Sequence, residues 1–272
     1  MTPKRIRLLD RALSLNRTPL LEVIKFMVVI LFFTWLLTRG TSILNYNWQW
    51  YQIPRYIFTI QDGHLVAGPL IQGLLVTLYI SGLSLVLSMA LGLVTAIFRL
   101  SDSPVAKGLA RLYLEMIRNT PLLVQLFFIY FVLSPILDIS RFTSAVLALS
   151  LFEGAYISEI FRSGIISIHK GQWEAAYSLG LSKFDTFRYI ILPQAVRRVL
   201  PPLTSQTVSL IKDSALVSTI AIYDLTMRGR AIIAETYLTF EMWFTIAAVY
   251  LLLTVTLSVT VHMMENRLRI EI

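Results

Sequence analysis

Cysteine is absent from all 272 residues, which excludes a disulfide framework, thiolate metal sites and a cysteine nucleophile. The only histidines, His64, His169 and His262, are scattered and offer little for metal chemistry. Charge is scarce as well. Only 15% of residues are charged and 56% are hydrophobic, against about 25% charged in soluble globular domains. A mean hydropathy of +0.69 is more apolar surface than a soluble core can absorb. No G-x-x-x-x-G-K-[ST] run is present, so this chain should not hold ATP as a P-loop protein does. Nor is there a G-x-S-x-G or an H-E-x-x-H. The two S-x-x-K matches, Ser209 to Lys212 and Ser167 to Lys170, lack S-D-N and K-T-G companions, which leaves an intramembrane Ser/Lys hydrolase without support.

What the chain has is long apolar runs. A membrane-crossing helix needs about 20 apolar residues for about 30 Å of hydrocarbon. Six stretches qualify as spans: roughly Ile24 to Leu37, Leu70 to Phe98, Leu112 to Leu137, Thr143 to Ile166, Leu203 to Ile222 and Trp243 to His262. The first reads as an uncleaved span and not a signal peptide, because Arg39 follows it and no small-residue cleavage site does. The expected fold is an all-α polytopic helix bundle. In the second span Ser84, Ser88, Gly92 and Ala96 recur every fourth residue, a small-residue ridge that admits a neighbouring helix backbone.

The net charge of +8 is explained by where the basic residues fall. Lysine and arginine are retained on the cytoplasmic side of membrane proteins. With both termini inside, Lys4 through Lys25, Arg99 through Arg118, Arg162 through Arg198, and Arg267 and Arg269 lie on that side. Only Arg39, Arg55, Arg141, Arg228 and Arg230 lie opposite, with Lys212 inside a span. The basic surplus therefore faces anionic lipid, and nucleic acid is not needed as a partner.

One polar stretch, Glu174 to Pro193, stands between the apolar runs. Trp173 to Leu179 consists of good helix formers, and Gly180 suits the left-handed residue that closes a helix. Ser182 with Asp185 reads as an N-cap followed by an acidic first turn. Pro193 should end or kink the second helix at about Leu192. The expected product is helix, tight turn, helix.

Charged residues within spans cost roughly 2.5 to 3.5 kcal/mol each at a helix centre. Glu153, Glu159 and Arg162 fall in the fourth span, Lys212 and Asp213 in the fifth. Glu159 and Arg162, three apart, share a face and can pair. Ser205, Gln206, Ser209, Lys212 and Asp213 form a polar stripe that should face the bundle interior or a wet cavity. In one reading Lys212 or Arg162 attracts a substrate carboxylate while Glu159, Glu153 or Asp213 receives an ammonium. In the other the charges are inter-helix ion pairs that fix the bundle, or Arg162 simply marks the cytoplasmic end of its helix.

The Glu174-Ala175-Ala176, Gly180, Ile190 and Leu192-Pro193 spacing resembles the "EAA" loop of permease subunits in ATP-binding-cassette importers. Arg118-Asn119-Thr120-Pro121-Leu122-Leu123-Val124-Gln125, Gly154-Ala155-Tyr156 with Glu159 and Arg162, Gly171-Gln172-Trp173-Glu174-Ala175-Ala176 and Leu192-Pro193-Gln194-Ala195 are similar to motifs of the polar amino acid branch. The likeness runs in unbroken order from about Leu70 to Arg267. Lys212-Asp213-Ser214-Ala215-Leu216 departs from the branch at Ala215, where a second hydroxyl is usual, and the N-terminal seventy residues add a helix to the usual five.

The resemblance implies a permease domain at residues 70–272 with a coupling loop at 171–193, preceded at 1–69 by a cytoplasmic tail, an extra span and an extracytoplasmic segment. It further implies a multi-pass protein of the bacterial inner membrane that pairs with itself or a sister permease. ATPase subunits holding ATP and Mg would dock on Glu174, Ala175, Ala176 and Gly180, with Pro193 closing the loop. An extracytoplasmic binding protein would deliver substrate. The chain itself would be no enzyme and bind no cofactor or metal. A passive channel or uncoupled carrier is the alternative, although such a protein has no use for the loop.

Overall fold

A computed structural model describes residues 19–43, 46–61 and 63–268 and divides into two units between Gln49 and Trp50. The first unit holds helix α1, Pro19–Ile43. Leu21–Gly40 is long and apolar enough to cross a membrane and exposes its apolar side chains all round. Its polar atoms are satisfied within the helix: Thr34 Oγ1 donates to the Ile30 carbonyl and Thr38 Oγ1 to that of Trp35, both at 2.9 Å. That is what hydrocarbon requires of a lipid-facing span.

The second unit opens with a 3₁₀ turn (Trp50–Gln52), followed by a single helical turn, α2 (Pro54–Ile57), and a hairpin of β1 (Phe58–Gln61) and β2 (His64–Ala67). The sequence assigns this stretch to the segment outside the permease domain. Ile53, Tyr56 and Ile57 pack with Leu70, Leu225, Ile232, Met242 and Ile246.

At the centre of the bundle α3 (Pro69–Leu100) lies beside α7 (Arg141–Ile166). The two run the same way, since Ser84, Gly92 and Arg99 meet Ser150, Ile157 and Glu159 in order. The expected small-residue ridge is this contact. Ser84 and Ser88 are fully buried, and a Cβ at Gly92 would stand 2.7 Å from Ile157 Cγ2. Gly92→Val should therefore lower stability by about 1–3 kcal/mol through overpacking. At Gly82 an added Cβ meets nothing within 4 Å, so Gly82→Val should leave the thermal midpoint in detergent near wild type. Equal midpoints for the two variants would refute the close contact.

The third expected span is not one helix. α4 (Pro104–Arg118) turns by 103° into a second limb, Leu122–Leu137, built from α5 (Leu122–Phe127), a π-turn (Phe128–Leu133) and α6 (Ser134–Leu137). The Arg118 to Gln125 block is the corner itself. Pro121 breaks the helix, and Gln125 Nε2 sits 2.7 Å from the Ile117 carbonyl, 3.0 Å from that of Thr120 and 2.8 Å from Thr120 Oγ1. It satisfies carbonyls that the break would leave bare.

The fifth expected span also differs. α10 (Leu192–Asp213) carries Pro201 and Pro202 inside it and passes into a 3₁₀ segment, Ser214–Ile220, that stops at left-handed Ala221. Among the described residues four helices are long and apolar enough to cross a membrane, or five with the bent pair as one span. α10 is not among them, because its polar stripe dilutes its hydropathy. After it come α11 (Leu225–Thr236), capped by Asp224 Oδ1 accepting from the Met227 amide at 2.8 Å, and α12 (Thr239–Leu268).

Candidate functional site

Two regions carry the residues singled out in the sequence. The first is the polar loop after α7. Helix α8 (Lys170–Ser178) is capped by His169 Nδ1, which accepts from the Gly171 amide at 3.0 Å. It closes through Gly180 at φ 78°, with the Gly180 amide donating to Tyr177 at 3.0 Å and that of Leu181 to Ala176 at 3.1 Å. This paired closure is the reason a glycine stands there. Ser182 then accepts from the Asp185 amide at 3.1 Å and starts α9 (Lys183–Asp185), as its sequence predicts.

Pro193 does not end this helix. The chain continues from α9 through a π-turn, Thr186–Ile191, into α10 with Pro193 as the second residue. A π-turn widens the backbone ring and relieves the clash a proline makes with the carbonyl one turn before it. Gln194 Nε2 also reaches the Ile190 carbonyl at 2.8 Å. The same pairing of π-turn and proline recurs at Phe128–Leu133 and Pro135.

The loop's outer surface is apolar, with Tyr177, Leu179, Phe184 and Tyr189 all exposed. Glu174 is exposed and lies 3.2 Å from Lys170, itself exposed. Ala175 is exposed while Ala176 is buried beneath the loop, so the two alanines do different things. The loop is tied back to the bundle where Arg198 donates to Ser167, reaching its hydroxyl at 3.0 Å.

The second region is the polar stripe of α10, which the structure splits into two adjoining faces. Thr204, Ser205, Val208, Ser209 and Lys212 line a cavity of about 410 Å³ together with Ser258 and Val261 of α12. That volume suits a small polar ligand. Gln206 and Asp213, about a third of a turn round the helix, face α7, where Gln206 Nε2 donates to Glu153 and the Asp213 carboxyl lies beside it. Glu153 is fully buried, and its Oε1 has no hydrogen-bond partner among the described residues. Ala215 is half-buried in the 3₁₀ segment, and the neighbouring Ser214 hydroxyl is spent on the Ile211 carbonyl at 2.7 Å.

Glu159 and Arg162 are placed elsewhere, at the loop end of α7. Glu159 Oε1 accepts from Arg162 and Oε2 from Arg99 of α3. The i,i+3 pairing read from sequence is present, and Arg99 completes a bridge between the two central helices. Two guanidiniums already share that carboxylate, so it is poorly placed to receive a substrate ammonium. In the sequence Arg99 belongs only to the basic surplus and Ser258 carries no signal, since both depend on which helices become neighbours.

The chain matches, over residues 88–270, the family described as the binding-protein-dependent transport system inner membrane component. It is 42% identical over 204 residues to the glutamine transport system permease protein GlnP of Escherichia coli K12, covering 74% of this chain and 93% of that one. It is 40% identical over 199 residues to the probable glutamine ABC transporter permease protein GlnP of Bacillus subtilis 168, covering 72% and 91%. A solved amino acid ABC transporter with histidines superposes with a TM-score of 0.70 at 39% identity, covering 73% of this chain and 94% of that chain. The inward-facing MetNI methionine transporter shares the fold at a TM-score of 0.62 and 18% identity, over 74% and 96%.

Proposed function

Because the chain belongs to the inner-membrane components of binding-protein-dependent transport systems, we propose that it lines the path of an ATP-driven importer for polar amino acids. Glutamine is the first substrate to test, since two relatives at 40% identity or more carry that name. ATPase subunits dock on the loop at Glu174, Ala175 and Gly180. Both termini are cytoplasmic, and a binding protein delivers substrate on the opposite side. A second permease, identical or sister, completes the path.

The observation that carries this reading is the unbroken helical connection from the docked loop to the polar stripe. From Lys183 to Asp213 the chain is helical without a coil residue, so a push on the loop displaces α10 directly. Closure of the ATPases on ATP would thus shift Ser209 and Lys212 against α12 and switch the cavity between the two sides. Lys212 supplies positive charge for a substrate carboxylate, and Ser205 and Ser209 supply hydroxyls.

Glu174 is the residue to test, because its exposed pair with Lys170 contributes little to folding, about 0.3–0.5 kcal/mol. Glu174→Ala should insert and assemble normally. In the reconstituted complex, ATP hydrolysis stimulated by glutamine-loaded binding protein should fall at least tenfold, a loss of about 1.4 kcal/mol of coupling. Stimulation equal to wild type would remove Glu174 from the coupling contact, and a wild-type chain that captures no ATPase would defeat the reading.

A further inference from the structure

Helix α4 is 15 residues long and presents a stripe that the bundle does not cover. Val105, Leu109, Leu112 and Met116 are 71%, 56%, 59% and 62% exposed, and at 100° per residue they fall within an arc of about 60°. Ala110 and Leu114 are buried, on the side where Tyr113 donates to the Leu151 carbonyl at 2.6 Å. Lys107, Arg111 and Arg118 are exposed and lie about 150° from the apolar stripe. The helix thus has three sectors, one against the bundle, one apolar and one basic. The acidic neighbours are Asp102, before the helix, and Glu115, which Asn119 Nδ2 engages at 2.8 Å.

Its attitude follows from its ends. α4 begins just beyond Arg99, which binds Glu159, about 27 Å along α7 from Arg141 at 1.5 Å per residue. It finishes with the Arg118 guanidinium 5.7 Å from the Tyr156 ring, about 22 Å along the same axis. The limb that follows is bent by 103° from α4, so α4 lies across the direction of that limb. The apolar stripe also continues an exposed apolar surface, because Val94, Ile97 and Phe98 at that end of α3 are exposed too.

We propose that α4 is an in-plane helix bedded in the leaflet on the loop side of the bundle, with its apolar stripe in acyl chains and Lys107, Arg111 and Arg118 against anionic phospholipid headgroups. An exposed apolar sector opposite a basic one is the pattern of interfacial helices. The proposal stands whichever subunits bind the loop.

The cysteine-free chain allows single nitroxides at Leu109, Leu112, Lys107 and Arg111 of the full-length protein in bilayer discs. Labels at Leu109 and Leu112 should show an oxygen-to-nickel-chelate accessibility ratio about tenfold above those at Lys107 and Arg111, as for a face sunk about 5–10 Å. In discs of mixed phosphatidylglycerol and phosphatidylcholine, Lys107→Gln with Arg111→Gln should at least halve the excess of spin-labelled phosphatidylglycerol at the protein boundary. Nickel-accessible labels at Leu109 and Leu112 would overturn the in-plane placement. Labels shielded from both reagents would assign the stripe to a protein partner. An unchanged lipid excess would overturn the anionic preference.

Discussion

Gly180→Asp is expected to abolish transport while the protein still reaches the membrane. Gly180 has φ 78°, and a Cβ there meets nothing within 4 Å. Aspartate is among the few side chains tolerated in that region, at a cost of about 1 kcal/mol. The damage therefore falls on the docking face. The turn is flanked by exposed Leu179 and Phe184, and a carboxylate set between them must lose its hydration when an ATPase closes over the surface. Uptake by the reconstituted importer should drop by two orders of magnitude or more, equivalent to about 2.7 kcal/mol. Membrane level and thermal midpoint should stay near wild type. Gly180→Ala separates the two costs, because it pays the backbone strain without adding charge and should retain much of the transport. Loss of membrane insertion in Gly180→Asp would refute the assignment of this turn to docking.

Removing the Gln206 amide should destabilise the packing of α10 on α7. Glu153 is fully buried, and Gln206 is the side-chain donor it receives from α10. Gln206→Leu strips a buried carboxyl of that donor, a loss of about 1–3 kcal/mol. Replacing both partners with apolar side chains should recover most of it, since neither partner is then left unpaired. The cycle of Gln206→Leu, Glu153→Leu and the double variant, followed by thermal unfolding in detergent, should show a positive coupling of about 1 kcal/mol or more. Transport read on the same variants separates the two roles open for Glu153. If it pins α10 to α7, activity follows stability across the series. If it receives a substrate ammonium, the double variant is stable and inactive.

The loop was legible because it is written in local grammar. Gly180 and Ser182 act within a few residues of themselves, and each stands in the structure as its sequence predicts. The ridge from Ser84 to Ala96 was legible for the same reason, since helical period fixes a face whatever the neighbour is. Of the two outcomes open at Pro193, an end or a kink, the end does not occur, because the rule against proline assumes a regular α-helical ring and the π-turn before it changes that ring. The run Leu112 to Leu137 misled because hydropathy averages over direction. Its two limbs meet at 103°, with the corner set by Pro121 and by Gln125 reaching back eight residues.

By itself the sequence determined the solvent, the fold class and the family, because apolar length, helical period and short-range caps are all properties of neighbouring residues. The tertiary structure decided which charges are occupied and which are offered. Glu159 is held between Arg162 and Arg99, which stands sixty residues before it, Glu153 is buried against Gln206, and Ser209 and Lys212 open onto a cavity shared with α12. A side chain's partner across the bundle depends on which helix faces come together, and helical period orients a face without naming the helix it meets.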